Sequence, residues 1–283
     1  MSSILTNSSA MVALATLNNV NTKLSETQNR VSTGLQISSG KDNAAYFAIS
    51  ETMSGDSGMF QSINDGLTST KNSIATARLG AETVADLAEQ FSERVAFAQG
   101  SGINLGDVQS ELDAIVLQIG NAISQSSFNG DSLVDGAATQ TIVSGVTRSG
   151  GTFAATTMTF SSVDLGAIQT GLAAIDLENL DTSSTNAAVP DNLTEALTMA
   201  ETQLSAAITA ATSLGVSEKT VERQQTFLSS LTDKIDSGVS AMVDADMESE
   251  AARLQALQVQ QQLATQSLSM ANQAPQNIMS LFR

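Results

Sequence analysis

Residues 60–98 read FQSINDGLTSTKNSIATARLGAETVADLAEQFSERVAFA, and the spacing in this stretch decides the fold. Phe60, Ile63, Leu67, Thr70, Ile74, Ala77, Ala81, Val84, Ala88, Phe91, Val95 and Ala98 alternate steps of three and four without a slip. That period belongs to a helix burying one stripe against other helices. Run continuously from Ala44 to Gln99, it would extend about 80 Å. Gly55, Gly58 and Gly66 weaken its first part and leave room for a bend or loop there. Gly100 and Gly102 should end it.

Helical spacing continues on both sides of this stretch. Ala13, Leu17, Val20, Leu24, Thr27 and Val31 keep a heptad step, and that helix should end near Gly34. A loop with Ser38, Ser39 and Gly40 follows, and Asp42 or Asn43 can cap the next helix. A third helix is predicted through Leu105, Val108, Leu112, Ile115, Ile119 and Ala122, ending before Phe128, Asn129 and Gly130. From Asp131 to about Pro190, Gly, Ser and Thr rise, charge nearly vanishes and the helical period is lost. Thr139 to Val146 and Thr152 to Val163 read as short strands around a turn at Ser149, Gly150 and Gly151.

Pro190, Asp191 and Asn192 then signal a helix start. The return helix uses Leu193, Leu197, Ala200, Leu204, Ala207, Ala211 and Leu214, and after Gly215 continues through Val221, Leu228, Leu231 and Ile235. Past Gly238 a last helix follows Val243, Met247, Leu254, Leu257, Ala264, Leu268 and Ala271, stopping near Pro275. The expected fold is mainly α. It is an elongated antiparallel helical hairpin, a coiled-coil rod with paired terminal helices and a small β-containing tip module. Five segments are expected: a coiled-coil helix over 1–40, rod halves over 41–130 and 191–240, the β-containing module over 131–190, and a second coiled-coil helix over 241–283.

Composition agrees with close helix packing. Hydrophobic residues make up 41% of the chain but aromatics only 4%, so its apolar surface is mostly Ala, Leu, Val and Ile. With only 2 prolines, long helices need few interruptions. Cysteine and histidine are absent, which excludes disulfides, thiolate nucleophiles, imidazole bases and zinc sites built on those ligands. A net charge of -17 argues against nucleic acid and anionic membranes as partners.

That charge is unevenly placed. No Asp, Glu, Lys or Arg occurs before Lys23, and none lies between Leu254 and Phe282. A solvated amphipathic helix normally carries a charged outer face. Helices without one are expected to be surrounded by protein, and the two ends to pair with each other. Neither end reads as a membrane element. The first lacks a basic region and a long apolar core, and the second is dense in Gln. Without a cleavable signal or a spanning helix, composition alone reads as cytoplasmic.

Sharper readings fail on spacing. Between Gly34 and Gly40 lie five residues where a phosphate loop needs four, and Asp42 stands where Ser or Thr is required, so an interhelical loop is expected. Asp244, Asp246, Glu248 and Glu250 resemble a hard-metal set, but on one helix Asp246 and Glu250 share a face that Asp244 does not. No acid–base pair of defined spacing is present, so no catalytic, cofactor or metal residue is assigned.

The two ends, read residue by residue, resemble bacterial flagellin. Arg30-Val-Ser-Thr-Gly34-Leu-Gln-Ile37, Lys41-Asp42-Asn43-Ala44-Ala45 and Ala48-Ile49-Ser50 are similar to the family's N-terminal block, and Phe128-Asn129-Gly130 to the close of its N-terminal helical region. Asp244-Ala245-Asp246, Glu250, Gln258-Val-Gln260-Gln261 and Ala271-Asn272-Gln273-Ala-Pro275-Gln276, with Leu281-Phe282-Arg283, are similar to its C-terminal block. The resemblance covers roughly residues 1–130 and 190–283, and is greatest to compact alphaproteobacterial flagellins.

It implies a structural, non-enzymatic subunit of an extracellular helical filament that serves motility, secreted without signal cleavage through the flagellar type III apparatus. That overrides the cytoplasmic reading. The implied partners are other copies of itself, hook-associated and filament-cap proteins, an export chaperone and the export apparatus. A hook–filament junction protein is the alternative. A chemoreceptor-like hairpin would show glutamate modification sites and a spanning segment, and neither is evident. Residues 91–99 keep only part of the pattern that a host innate receptor recognises in some flagellins, which implies weak or absent recognition. The Ser and Thr residues from Thr139 to Thr185 read as a solvated surface, although some flagellins are O-glycosylated there.

Self-assembly is expected to rest on Leu17, Val20, Leu24 and Val31 at one end and on Leu254, Leu257, Gln258, Gln261, Leu268, Asn272, Leu281 and Phe282 at the other. Phe60, Ile63, Leu67, Ile74, Val84, Phe91 and Val95 are expected to pack the rod. Gln258, Gln261 and Gln262 are expected to make interhelical hydrogen bonds that set register. Each ordered residue of the first helix costs about 1–2 kcal/mol of backbone entropy. Only four large apolar residues return about 1.5–3 kcal/mol apiece on burial. An isolated end should therefore be largely disordered, and its ordering coupled to assembly.

Overall fold

A computed structural model describes residues 7–149, 152–180, 190 and 192–281, with side chains for all of these except 149, 152 and 274–281. In chain order its elements are α1 (Ser8–Thr33), α2 (Ala44–Ala98), α3 (Leu105–Gln125), β1 (Ser127–Phe128), β2 (Asp131–Ser132), β3 (Thr139–Ser149), β4 (Thr152–Ser161), α4 (Leu165–Ala173), α5 (Leu193–Val243) and α6 (Met247–Leu281). The fold is mainly α, with two small antiparallel strand pairs in the middle of the chain. Two units are present, residues 1–57 with 233–283 and residues 58–232, and the divisions fall inside α2 and α5.

The 58–232 unit holds the large core. The stripe read from the sequence is its backbone: Leu67, Ile74, Ala77, Ala81, Val84, Ala88, Phe91, Val95 and Ala98 of α2 are buried. Phe60 and Ile63 pack against the same core while half-buried. From α5, Ala196, Ala200, Ala207, Leu214, Val221 and Leu228 face inward. The two helices run antiparallel within this unit, tied by Lys71 to Glu222 (3.1 Å) and by Arg78 Nε to Glu218 (2.7 Å). The bond to Glu218, then that to Glu82, holds the Arg78 guanidinium above its ordinary pKa.

Several helical glycines are sites of close approach. A Cβ at Gly80 of α2 would collide with the Ser126 side chain at the end of α3. One at Gly120 of α3 would meet Gln169, and one at Gly171 of α4 would meet Gln203.

Short polar devices shape the strands. Asn129 (φ 53) and Gly130 (φ 87) form the two-residue turn between β1 and β2. Two consecutive positive φ values are what a tight hairpin requires, and Asn-Gly supplies them most readily. In the β3–β4 hairpin the register shifts between Val143 and Gly145, leaving Ser144 as the extra residue. Its freed carbonyl accepts from Gln224 Nε2 of α5 at 2.7 Å, and its hydroxyl donates to the Thr156 carbonyl at 3.2 Å.

Four expectations are corrected. First, the middle segment is not free of helix. Asp164 accepts from the Ala167 N–H to cap α4, which buries Leu165, Ile168 and Leu172 in the same core. At nine residues it is shorter than the windows in which periodicity stands out. Second, α2 is unbroken through Gly55, Gly58 and Gly66, with no loop there. Third, α5 passes through Gly215 and Gly238 to Val243, so the break lies at Asp244–Asp246. A helical glycine costs only about 1 kcal/mol against alanine, which the packing of a long helix outweighs. Fourth, α6 continues past Pro275 to Leu281. The expected turn residues Gly150 and Gly151, the capping candidate Asp191, and Phe282 lie outside the described residues, as does the side chain of Leu281.

Candidate assembly site

The 1–57 with 233–283 unit brings the two ends of the chain together. Asn7 caps α1, its side-chain oxygen accepting from the Ala10 N–H at 3.1 Å. Gly34 ends that helix in the left-handed region (φ 74) and donates its N–H to the Arg30 carbonyl at 2.8 Å. The chain then lies against the α5–α6 corner. The Gln36 and Ile37 N–H groups donate to the Val243 carbonyl, and the Ala245 N–H donates to the Gly34 carbonyl. These bonds fill groups that would continue α5, which accounts for a break at Asp244–Asp246. Asp246 opens α6 by accepting from the Glu248 and Ser249 N–H groups at 3.1 and 3.3 Å.

Three contacts fix how α1 and α6 pair. Asn7 Nδ2 donates to the Ala271 carbonyl (2.7 Å), Gln261 Nε2 donates to Asn21 Oδ1 (2.8 Å), and Arg30 Nη1 bonds Glu250 Oε1 (3.3 Å). Numbers rise on one helix as they fall on the other, so the pair is antiparallel. Ala13, Val20 and Thr27 are the buried stripe of α1, each seven residues from the next. Glu250, Leu257 and Ala264 repeat that spacing on α6. Leu17, Leu24, Val31, Leu254 and Leu268 are half-buried beside them.

Of the residues expected to carry self-assembly, Val20 and Leu257 lie in the buried stripes and Leu17, Leu24, Val31, Leu254 and Leu268 beside them. Of the three glutamines, Gln261 makes the interhelical bond, while Gln258 and Gln262 point outward, as does Asn272. Asn7, Asn21, Arg30 and Glu250 carry the polar pairing and had been assigned no such role. The available signal was position: Asn21 and Gln261 flank the buried stripes, Arg30 lies in the last turn of α1 and Glu250 in the first turn of α6.

Glu250 is the buried charged residue of this interface. Only 7% exposed, it bonds Arg30 at 3.3 Å and Arg253 at 3.6 Å through Oε1, while Oε2 has no protein partner. The four acidic residues considered as a metal set are thus divided between tasks: Asp246 caps a helix and Glu250 pairs with arginine. In the loop after α1, Asp42 Oδ2 accepts from the N–H and hydroxyl of both Ser38 and Ser39 at 3.0–3.3 Å. The Ser39 hydroxyl, then the Ser38 N–H, holds this carboxylate below the ordinary Asp range. Asn43 caps α2 by accepting from the Ala45 and Tyr46 N–H groups.

Large apolar side chains stand on the outer faces of the pair among polar ones. Met11 (65%), Val12 (67%) and Leu14 on α1 stand exposed, as do Val259, Leu263 (59%) and Met270 (66%) on α6. Two helices that carry no charge over residues 8–22 and 254–281, paired through a narrow stripe with large apolar side chains left outside, have the character of a helical protein that packs against further protein.

More particularly, the chain belongs to the bacterial flagellin family. The bacterial flagellin N-terminal helical region matches residues 4–139, and the bacterial flagellin C-terminal helical region matches residues 195–282. The chain is 37% identical to a flagellin of Brucella melitensis, 36% to flagellin FljM of Caulobacter vibrioides and 30% to flagellin C of Rhizobium meliloti. Each match covers 100% of this chain and 99–100% of the relative. These are alphaproteobacterial proteins, as the terminal motifs had implied.

Proposed function

We propose that this flagellin is a structural subunit that polymerises with copies of itself into the extracellular filament of the bacterial flagellum, and that its terminal helices become ordered as they are added. The observation that carries this is the set of large apolar side chains left uncovered on the charge-free stretches of the α1–α6 pair, residues 8–22 and 254–281. Its buried stripe is mostly small, with Ala13, Thr27 and Ala264 beside Val20 and Leu257, while larger apolar groups remain in water. Burying Met11, Val12, Val259, Leu263 and Met270 against neighbouring copies would return about 1.5–3 kcal/mol each. Leu17, Val20, Leu24, Val31, Leu254, Leu257, Gln261 and Leu268 hold the pair together in this reading.

Secretion through the flagellar apparatus without signal cleavage belongs to the same proposal, as do the chaperone, hook-associated and cap proteins as partners. The family is structural, so no reaction is assigned. Relatives matched over nearly their whole length carry the name flagellin, which favours the filament subunit over the junction protein.

Seeding tests the reading. Purified chain given fragments of native filament should sediment as long tubes visible by electron microscopy. A chain trimmed to residues 23–253 should not. Tubes from the trimmed chain, or persistent monomer from the intact one with seeds present, would overturn it.

A further inference from the structure

Pro275 lies inside α6 and has no backbone N–H, so the carbonyl four residues earlier loses its helical partner. That carbonyl belongs to Ala271, and it accepts the side-chain amide of Asn7 at 2.7 Å. The same side chain presents its oxygen to the Ala10 N–H, an orphan donor of the first turn of α1. One amide therefore completes a gap at the start of one terminal helix and a gap near the end of the other. Both polar atoms of the Asn7 side chain are used, one on each helix.

We infer that Asn7 is a positioning residue for filament assembly: a clip that reads the carbonyl exposed by Pro275 and so sets the register of the two ends. The inference rests on the filament reading above. A heptad stripe by itself is weakly discriminating, because sliding one helix by seven residues re-pairs similar side chains. Ala13, Val20 and Thr27 against Leu257 and Ala264 offer little shape to prevent such a slip. Pro275 is the one proline of α6, so the carbonyl it frees ahead of the last turn marks a single position along the helix, and a donor that must find it favours one register.

The residue types are specific to this role. Asp at position 7 would still cap α1 through an oxygen, but a carboxylate cannot donate to a carbonyl. Ala at position 275 would return an N–H to Ala271 and make the Asn7 donor dispensable. The test is a double-mutant cycle on the full-length chain, comparing unmodified protein, Asn7→Asp, Pro275→Ala and the double variant.

The readout is the critical concentration for growth on native filament seeds. Asn7→Asp should raise it about fivefold or more, the effect of one carbonyl left without a donor. In the Pro275→Ala background the same substitution should change it less than about twofold. An Asn7→Asp defect of equal size in both backgrounds would overturn the clip, as would the absence of any defect with Pro275 in place. Either result leaves the unmodified chain growing on seeds and the filament reading intact. Failure of the unmodified chain to grow contradicts that reading itself.

Discussion

Gly80 lies in the middle of α2, where a Cβ would run into the Ser126 side chain. Its lack of a side chain is a packing requirement, because the end of α3 occupies that space. Gly80→Ala should therefore destabilise the 58–232 unit by about 1–3 kcal/mol, the usual cost of overpacking. A Gly80→Ala, Ser126→Gly pair should recover much of that loss. Urea titration of the free chain followed by circular dichroism checks both variants, and a neutral Gly80→Ala would show that α3 does not press on α2 there. In sequence, Gly80 reads only as a weak spot in a helix, since the residue that fills its space is forty-six positions away. Asn7 was illegible for the same reason. Its meaning depends on an Ala271 carbonyl at the opposite end of the chain.

At the scale of elements, periodicity named the long helices, and capping signals named the starts of α2 and α5. The α2 stripe, the Gly34 stop, the Asn43 cap and the β3–β4 hairpin were all readable because each is a local pattern. The end of α5 was not, since its position is set by Gln36, Ile37 and Gly34 bonding to residues 243 and 245 across the unit. Helix α4 escaped because nine residues, about two and a half turns, leave too few repeats to recognise. The loop between α1 and α2 adds a pH dependence. Asp42 is held as a carboxylate by Ser38 and Ser39, so its folded pKa lies below the ordinary value of about 3.9. A group depressed on folding stabilises the fold above its unfolded pKa and loses that contribution as pH falls through the folded value. Protection of the Ser38 and Ser39 amides should accordingly hold from pH 7 to about 4 and fall below that. Asp42→Asn should remove the acid dependence. Nuclear magnetic resonance titration is the check, and loss of protection already near pH 5 would contradict the assignment.

Across the whole molecule, charge separates the parts that meet water from the parts that meet protein. All of the net charge of -17 lies between Lys23 and Arg283, and the stretches up to Thr22 and from Leu254 to Phe282 contribute nothing to it. The ion-free stretches of the α1–α6 pair have a thin stripe of mostly small buried residues and leave larger apolar groups exposed. The family assignment and the uncovered outer faces converge on a chain whose ends finish folding in the polymer. Hydrogen–deuterium exchange by mass spectrometry, run on dilute monomer and on seeded filaments, tests this most directly. Residues 8–33 and 247–273 should exchange within seconds in the monomer and be strongly protected in the filament. Full protection of both segments in the dilute monomer would contradict the account.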